Sequence, residues 1–296
     1  MPETVLSNPA CGSARPAGFS TPSGPLSPYH VLSTVEFDVV WERLGLGPTP
    51  VVLQLPSPGR THTERRRIVA DAWAALRDRE LAGPAGPERG LDRLLRLLAG
   101  PSERLELRAW GHSPTRAVAA GHDDECVLAR RHGDRVVIKR CTSLPGAIVA
   151  LLPPAPPGPG RAACVLTATL TAALDRPSGA GLRADLVDRG VPPDEAGAVA
   201  RMLHGIAGRA QLGALAADRW GALRRSAAVL DLLDGPRGRY LLTRSEDGWT
   251  TVAPTDDRRL RHRVAELLAA ARGGQSRSPW RISCRPDSVI EPDSDG

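Results

Sequence analysis

The stretch that most limits the fold is Gly238 to Gly274, GRYLLTRSEDGWTTVAPTDDRRLRHRVAELLAAARGG. Tyr240, Leu241 and Leu242 form one short strand and Trp249 to Val252 a second. Between them Ser245 to Gly248 carries an Asp-Gly pair, which suits a hairpin turn. Thr255 then stands where a helix cap is expected, with Asp256 and Asp257 in the first turn, where the helix dipole favours carboxylates. Leu260, Val264, Leu267 and Leu268 fall on one helical face, and Gly273 and Gly274 end the run. The result is a β-β-α unit whose strands and helix are each half apolar.

The chain has 296 residues, enough for one large domain or two halves. Hydrophobic content is 41% but aromatic content only 3%, so the core must be Leu, Val and Ala. Net charge is +6, and Lys139 is the only lysine beside many arginines. No dense basic block interleaved with aromatics is present, so no nucleic-acid partner is expected. Cys11, Cys126, Cys141, Cys164 and Cys284 are odd in number and contain no C-x-x-C pair, which argues against zinc and redox-motif chemistry. Cys126, Cys141 and Cys164 lie among apolar residues and read as buried thiols. No leader and no apolar run of membrane-spanning length stands out, so the expectation is a reduced, cytoplasmic chain with no membrane partner.

In chain order, residues 1–28 read as a disordered tail. Ser33 or Thr34 caps a helix with Phe37, Val40, Trp41 and Leu44 on one face, and Val51 to Leu55 reads as a strand. Thr61 and Glu64 match a capping box before Ile68, Val69, Ala72, Trp73 and Leu76. Leu91, Leu94, Leu95 and Leu98 line the next helix. Leu105, Leu107 and Ala109 then alternate with Arg104, Glu106 and Arg108, predicting one buried and one wet strand face. Arg116 to Ala120, Cys126 to Arg130 and Val136 to Lys139 continue an antiparallel meander, and Ile148 to Leu152 adds a short apolar element. The segment LLPPAPPGPGR, Leu151 to Arg161, is the clearest internal boundary and reads as a semi-rigid connector. Beyond it the order repeats: a strand at Cys164 to Leu166, a short helix at Thr167 to Leu174, a helix from Asp194, strands at Gln211 to Ala217, Arg225 to Asp231, Arg239 to Thr243 and Trp249 to Ala253, then the last helix. Helices followed by three or four strands, twice over, predict two topologically similar halves. The division expected is 29–152, a connector at 153–161, 162–274, and a disordered tail at 275–296.

No G-x-S-x-G, H-E-x-x-H or Walker A motif occurs. Gly158 and Gly160 sit among prolines rather than between a strand and a helix. The most site-like local group is His122 with Asp123, Asp124, Glu125 and Cys126, which a charged hairpin turn explains more simply than a metal or thiol site. No catalytic residue, cofactor or metal is expected. Arg201, Arg209, Arg219, Arg224 and Arg225 form a basic run, read either as a solvated face or as a patch for an acidic helical partner. Two other readings remain at this point: an enzyme built on His122 and Cys126, and an arginine-rich DNA-associated regulator.

Two stretches resemble the EspG family, the ESX secretion-associated proteins of actinobacteria: DGPRGRYLLTRSEDGWTTVAPTDDRRL at Asp234 to Leu260, and STVEFDVVWERLGLGPTPVVLQLPSPGRTHTERR at Ser33 to Arg66. GRAQLGALAADRWG at Gly208 to Gly221 fits the intervening order. The resemblance covers about residues 30 to 270. It implies an α/β fold of the α+β type, with a central, largely antiparallel sheet, flanking helices and two pseudo-twofold related halves. It implies a non-enzymatic cytosolic chaperone of type VII secretion that binds the helical tip of a PE-PPE-like heterodimer, or another WXG100-related client, and keeps it soluble. Regional transfer from the resemblance gives Gln211, Leu212, Arg219, Arg224, Arg225, Val229 and Arg261 as protein-binding residues.

Overall fold

The computed structural model describes residues 29–111, 114–175 and 180–273. The tails expected to be disordered lie outside the described residues.

The first series of elements opens with β1 (Tyr29–Ser33), α1 (Thr34–Arg43), α2 (His62–Asp78), a two-residue hairpin of β2 (Ala82–Gly83) and β3 (Gly86–Pro87), and α3 (Arg89–Ala99). It continues through β4 (Glu103–Trp110), β5 (Thr115–His122), β6 (Glu125–His132), β7 (Arg135–Cys141) and α4 (Leu144–Val149). The second series is β8 (Ala163–Leu166), α5 (Thr167–Asp175), α6 (Leu182–Val187), α7 (Pro193–Met202), β9 (Gly208–Ala217), β10 (Leu223–Gly235), β11 (Gly238–Arg244), β12 (Trp249–Pro254) and α8 (Asp257–Arg272). Apart from the β2–β3 hairpin the two series match element for element: strand, three helices, four strands, helix. The ten long strands form one sheet in the order β1-β7-β6-β5-β4-β9-β10-β11-β12-β8. Every neighbouring pair is antiparallel. The two series therefore meet at the β4–β9 pair, where Leu105 lies opposite Ala214 and Leu107 opposite Leu212. That seam is the pseudo-twofold position.

Each sheet face is covered differently. On one face α4 and α8 cross the central strands, burying Leu260, Val264, Leu267 and Leu268 against Leu105, Leu107, Leu212, Leu230 and Leu232. On the other face there are two separate lobes. In the first, Phe37, Trp41, Leu91, Leu95 and Leu98 pack on Val118, Val127, Val136 and Ile138. In the second, Leu170, Leu186, Val199 and Met202 pack on Val165, Tyr240, Leu242 and Val252. This period-2 division explains why leucine and alanine suffice: each strand buries alternate residues in different cores.

Local chemistry places the helices. Ser33 caps α1 in a full capping box, its Oγ accepting from the Glu36 N–H at 3.1 Å and Glu36 Oε2 accepting from the Ser33 N–H at 2.7 Å. Thr61 caps α2 by accepting from the Glu64 N–H at 3.2 Å, but Glu64 reaches back to the Arg60 N–H instead of completing the box. Three expectations are corrected. Val51–Leu53 is a short 3-10 turn, since Pro48, Pro50 and Pro56 lack the donors a ladder needs. Arg131 instead binds the carbonyls of Leu53 and Gln54. The cap of α8 is Asp256, which accepts from the Arg259 N–H at 2.8 Å, while Thr255 is buried and donates its N–H to the Arg239 carbonyl. Cys164 is disulfide-bonded, not a thiol.

The proline-rich stretch is more than a spacer. Its backbone lies along β11: the Arg239 N–H donates to the Pro156 carbonyl at 2.8 Å and the Gly158 N–H to the Arg239 carbonyl at 3.1 Å. The Arg239 guanidinium is 0% exposed. It forks onto Asp234 at 2.7 and 3.0 Å, donates to Asp257 at 3.1 Å and reaches the Pro153 carbonyl at 2.7 Å. One side chain thereby joins the end of β10, the start of α8 and the connector. Gly158 permits the close approach, because a Cβ there would stand 2.1 Å from the ring of buried Tyr240.

Arg239→Met strips a buried charge from its partners and costs about 3 kcal/mol, which lowers Tm by about 10 °C for a domain of this size, as read by thermal denaturation. Gly158→Ala overpacks against Tyr240 and costs about 1–3 kcal/mol. Gly83→Ala, where a Cβ would have no neighbour within 4 Å, leaves Tm essentially unchanged in the same assay.

Candidate protein interface

Between the two helix lobes the central strands β4, β9 and β10 carry a polar row instead of a core. Alternation dictates it: with Leu105, Leu107, Leu212, Leu230 and Leu232 facing α8, the intervening side chains must face the other way. Register brings Arg108 opposite Gln211 and Gln211 opposite Asp231. In the next row Glu106 faces Gly213, and Gly213 faces Val229. Arg104 and Arg225 flank Leu215 one row further on. Arg116 of β5 and Arg244 of β11 extend the floor to either side.

The expected wet face of β4 is therefore partly wrong, because Glu106 is buried. Its carboxylate pairs with Arg225, whose guanidinium crosses β9 over Gly213. A Cβ at Gly213 would sit 2.8 Å from Arg225 Nη1, so glycine leaves the crossing open. A bulge in β10 between Arg225 and Val229 re-aims the strand at this point. Asp231, with its side chain 2% exposed, collects Arg209 at 3.1 Å, Gln211 at 3.3 Å and Arg244 at 2.6 Å. Two buried carboxylates thus stand among six arginines: Arg104, Arg108, Arg116, Arg209, Arg225 and Arg244. Burial pushes the Arg104 guanidinium below its ordinary value; Glu106 opposes that shift and Arg225 adds to it. Arg104 Nε and Arg116 Nη1 are buried with no hydrogen-bond acceptor among the described residues. The floor has more donors than the described residues satisfy.

Gln211, Arg225 and Val229 meet on this floor. Arg219 and Arg224 stand at the tip of the β9–β10 hairpin, exposed, with Arg219 stacked 4.0 Å from the exposed Trp220 ring and Arg224 held by Asp218 at 2.9 Å. At the opposite end of the seam Arg209 lies 5.9 Å over Trp110, which is also exposed. Two expected contact residues stand apart from this floor. Leu212 is fully buried and faces α8, so it is a core residue. Arg261 is exposed on α8, which covers the opposite sheet face, so it shares no surface with Gln211 and Arg225. Sequence reasoning missed Glu106, Asp231 and Arg244; the signal was a carboxylate at an alternate strand position, opposite a glycine or a glutamine.

The group expected to support an enzyme does not converge. His122 and Asp123 lie 3.6 Å apart on an exposed turn. Cys126 contacts Cys141 across β6 and β7, with the sulfurs 2.9 Å apart. Burial pushes the Cys141 thiol well above its ordinary value, with Cys126 adding to the shift, which leaves it a poor nucleophile. Among the described residues no three His, Cys, Asp or Glu side chains stand together as a metal site, and no helix is long and apolar enough to cross a membrane.

Two helix lobes on one continuous antiparallel sheet, with a polar seam between them that no helix among the described residues covers, define an α+β protein of two similar halves that presents a face, not a cleft. The EspG family model matches residues 33–266, and the chain belongs to the EspG family. No curated protein sequence matches it. Among solved structures it is similar to the type VII secretion system chaperone EspG5 of Mycobacterium tuberculosis, solved in complex with a PE25-PPE41 dimer. The TM-score is 0.66 at 18% identity, covering 82% of this chain and 96% of that one. That likeness confirms the expected fold.

A double-mutant cycle measures whether the seam's ion pair is real. Glu106→Gln and Arg225→Ala, separately and together, give a coupling of about 1 kcal/mol by chemical denaturation, modest because Arg225 is half exposed.

Proposed function

We propose that this chain is a cytosolic, non-enzymatic chaperone of type VII secretion that binds a PE-PPE-like helical substrate and keeps it soluble before export. The observation that carries the reading is family membership over residues 33–266, joined to a sheet face that no helix among the described residues covers. The client is held on the seam of β4, β9 and β10. An exported helical protein aggregates through its apolar tip unless that tip is covered. The end of a helix also presents unsatisfied carbonyls and a partial negative charge. A floor with surplus guanidinium donors is the complement of such an end, and the charged rim sets orientation and on-rate more than affinity. Because little of the floor is apolar, the complex is releasable, as export requires. Gln211, Arg225 and Val229 are the contact residues of this reading, with Arg219 and Arg224 at the hairpin tip on its edge.

Co-expression with a PE-PPE-type pair encoded beside the chain, followed by affinity purification, is the test. The expected result is a stoichiometric complex and a higher soluble yield of the client. Val229→Glu places an anion on the floor and weakens the complex about tenfold or more, whereas Arg261→Glu on the opposite face leaves it intact. Failure to co-purify any such client, or a complex lost with Arg261→Glu and kept with Val229→Glu, contradicts the proposal.

A further inference from the structure

We propose that a second, independent site in the chain binds a small diphosphate-bearing anion: the pocket where the connector, α6, α7 and the β10–β11 turn meet. The cavity has a volume of about 490 Å³ and is lined by Arg161, Arg183, Arg201 and Arg237. Each arginine comes from a different element. α7 turns Asp194, Gly197, Ala198 and Arg201 toward the space, at the spacing of one helix face.

The arrangement has an excess of cation that the described residues do not neutralise. Arg161 is paired with Glu195 at 2.5 Å. Arg183, Arg201 and Arg237 make no ion pair among the described residues, and Asp194 is the one carboxylate of the lining. Gly197 brings two of these groups together. A Cβ at that position would lie 3.2 Å from Arg201 Nη1 and 3.6 Å from Arg183 Nε, so both guanidiniums close on the same point above a residue without a side chain. Both guanidiniums are exposed, and an anion held between them would bridge the two charges. A guanidinium presents a planar fork of donors that matches phosphate oxygens two at a time. Three forks without an ion pair among the described residues, set around a small cavity, match the oxygens of linked phosphates better than a single carboxylate. The size of the cavity fits a small molecule, and its place in the second helix lobe keeps it off the β4–β9–β10 seam. The basic run that includes Arg201 thus divides in the structure: Arg209 and Arg225 belong to the sheet floor, and Arg201 belongs to this pocket.

Isothermal titration calorimetry of the full chain with inorganic pyrophosphate, at constant ionic strength, tests the proposal, with citrate and ADP as parallel arms. The expected result is one pyrophosphate site whose affinity falls about tenfold for each of Arg183→Gln and Arg201→Gln, the loss of one charge-assisted contact apiece. Arg237→Gln, on an exposed turn, weakens the site in the same direction and serves if the α6 and α7 variants unfold. ADP binding tighter than pyrophosphate assigns the diphosphate to a nucleotide; the reverse assigns it to a free or otherwise esterified diphosphate. Absence of pyrophosphate binding, equal binding by citrate, or binding unchanged in the folded arginine variants overturns the assignment.

Discussion

The buried Arg239 guanidinium is the interaction on which the second half of the molecule depends. A charge with no solvent contact is tolerated only when its donors are satisfied, and here four hydrogen bonds come from three separate places in the chain. Asp234 fixes the end of β10, Asp257 fixes the first turn of α8, and the Pro153 carbonyl fixes the start of the connector. The main chain of the same residue bonds Pro156, Gly158 and Thr255. The connector therefore reaches β8 along a set path, and α8 starts at a set point before crossing the central strands. Once α8 covers one face of β9 and β10, alternation leaves Gln211, Arg225, Val229 and Asp231 on the other.

The seam has the opposite character. The repeated order of elements gives each half its own helix lobe on the outer strands, and joining the halves through β4 and β9 leaves the middle without a helix on that side among the described residues. An uncovered apolar seam would invite aggregation, so the positions carry charge. Glu106 and Asp231 are deep enough to need partners, and arginines from neighbouring strands lean over to supply them. The pairs tie the floor's strands together, while Arg104 Nε and Arg116 Nη1 keep no acceptor among the described residues. A preorganised, polar and shallow surface suits binding that must later be reversed.

Much of the architecture was legible from periodicity. The leucine face at Leu91, Leu94, Leu95 and Leu98, the helix cap at Ser33, the strand alternation at Leu105 and Leu107, and the repeated order of helices and strands are local patterns with local causes. What escaped depends on distant partners. Val51 to Leu55 has strand composition, yet its flanking prolines leave it no ladder, and Arg131 from β6 binds its carbonyls instead. Glu106 reads as solvent-facing until Arg225, far along the chain, is laid over it. Leu212 reads as a contact when its strand is taken as a whole, but strand parity turns it into the core. Arg261 was grouped with the strands by regional transfer from the family resemblance, and the sheet separates them. The contact residues are the least legible level, since only the assembled sheet decides which side of a strand faces outward.

The central claim is that the seam between the helix lobes is the client-binding face. Arginine-selective labelling with phenylglyoxal, read residue by residue by mass spectrometry with and without a bound helical client, tests it most directly. The account predicts that Arg108, Arg209, Arg225 and Arg244 become protected in the complex while Arg258 and Arg261 of α8 label as before. Protection of the α8 arginines with the seam arginines still fully labelled would contradict it.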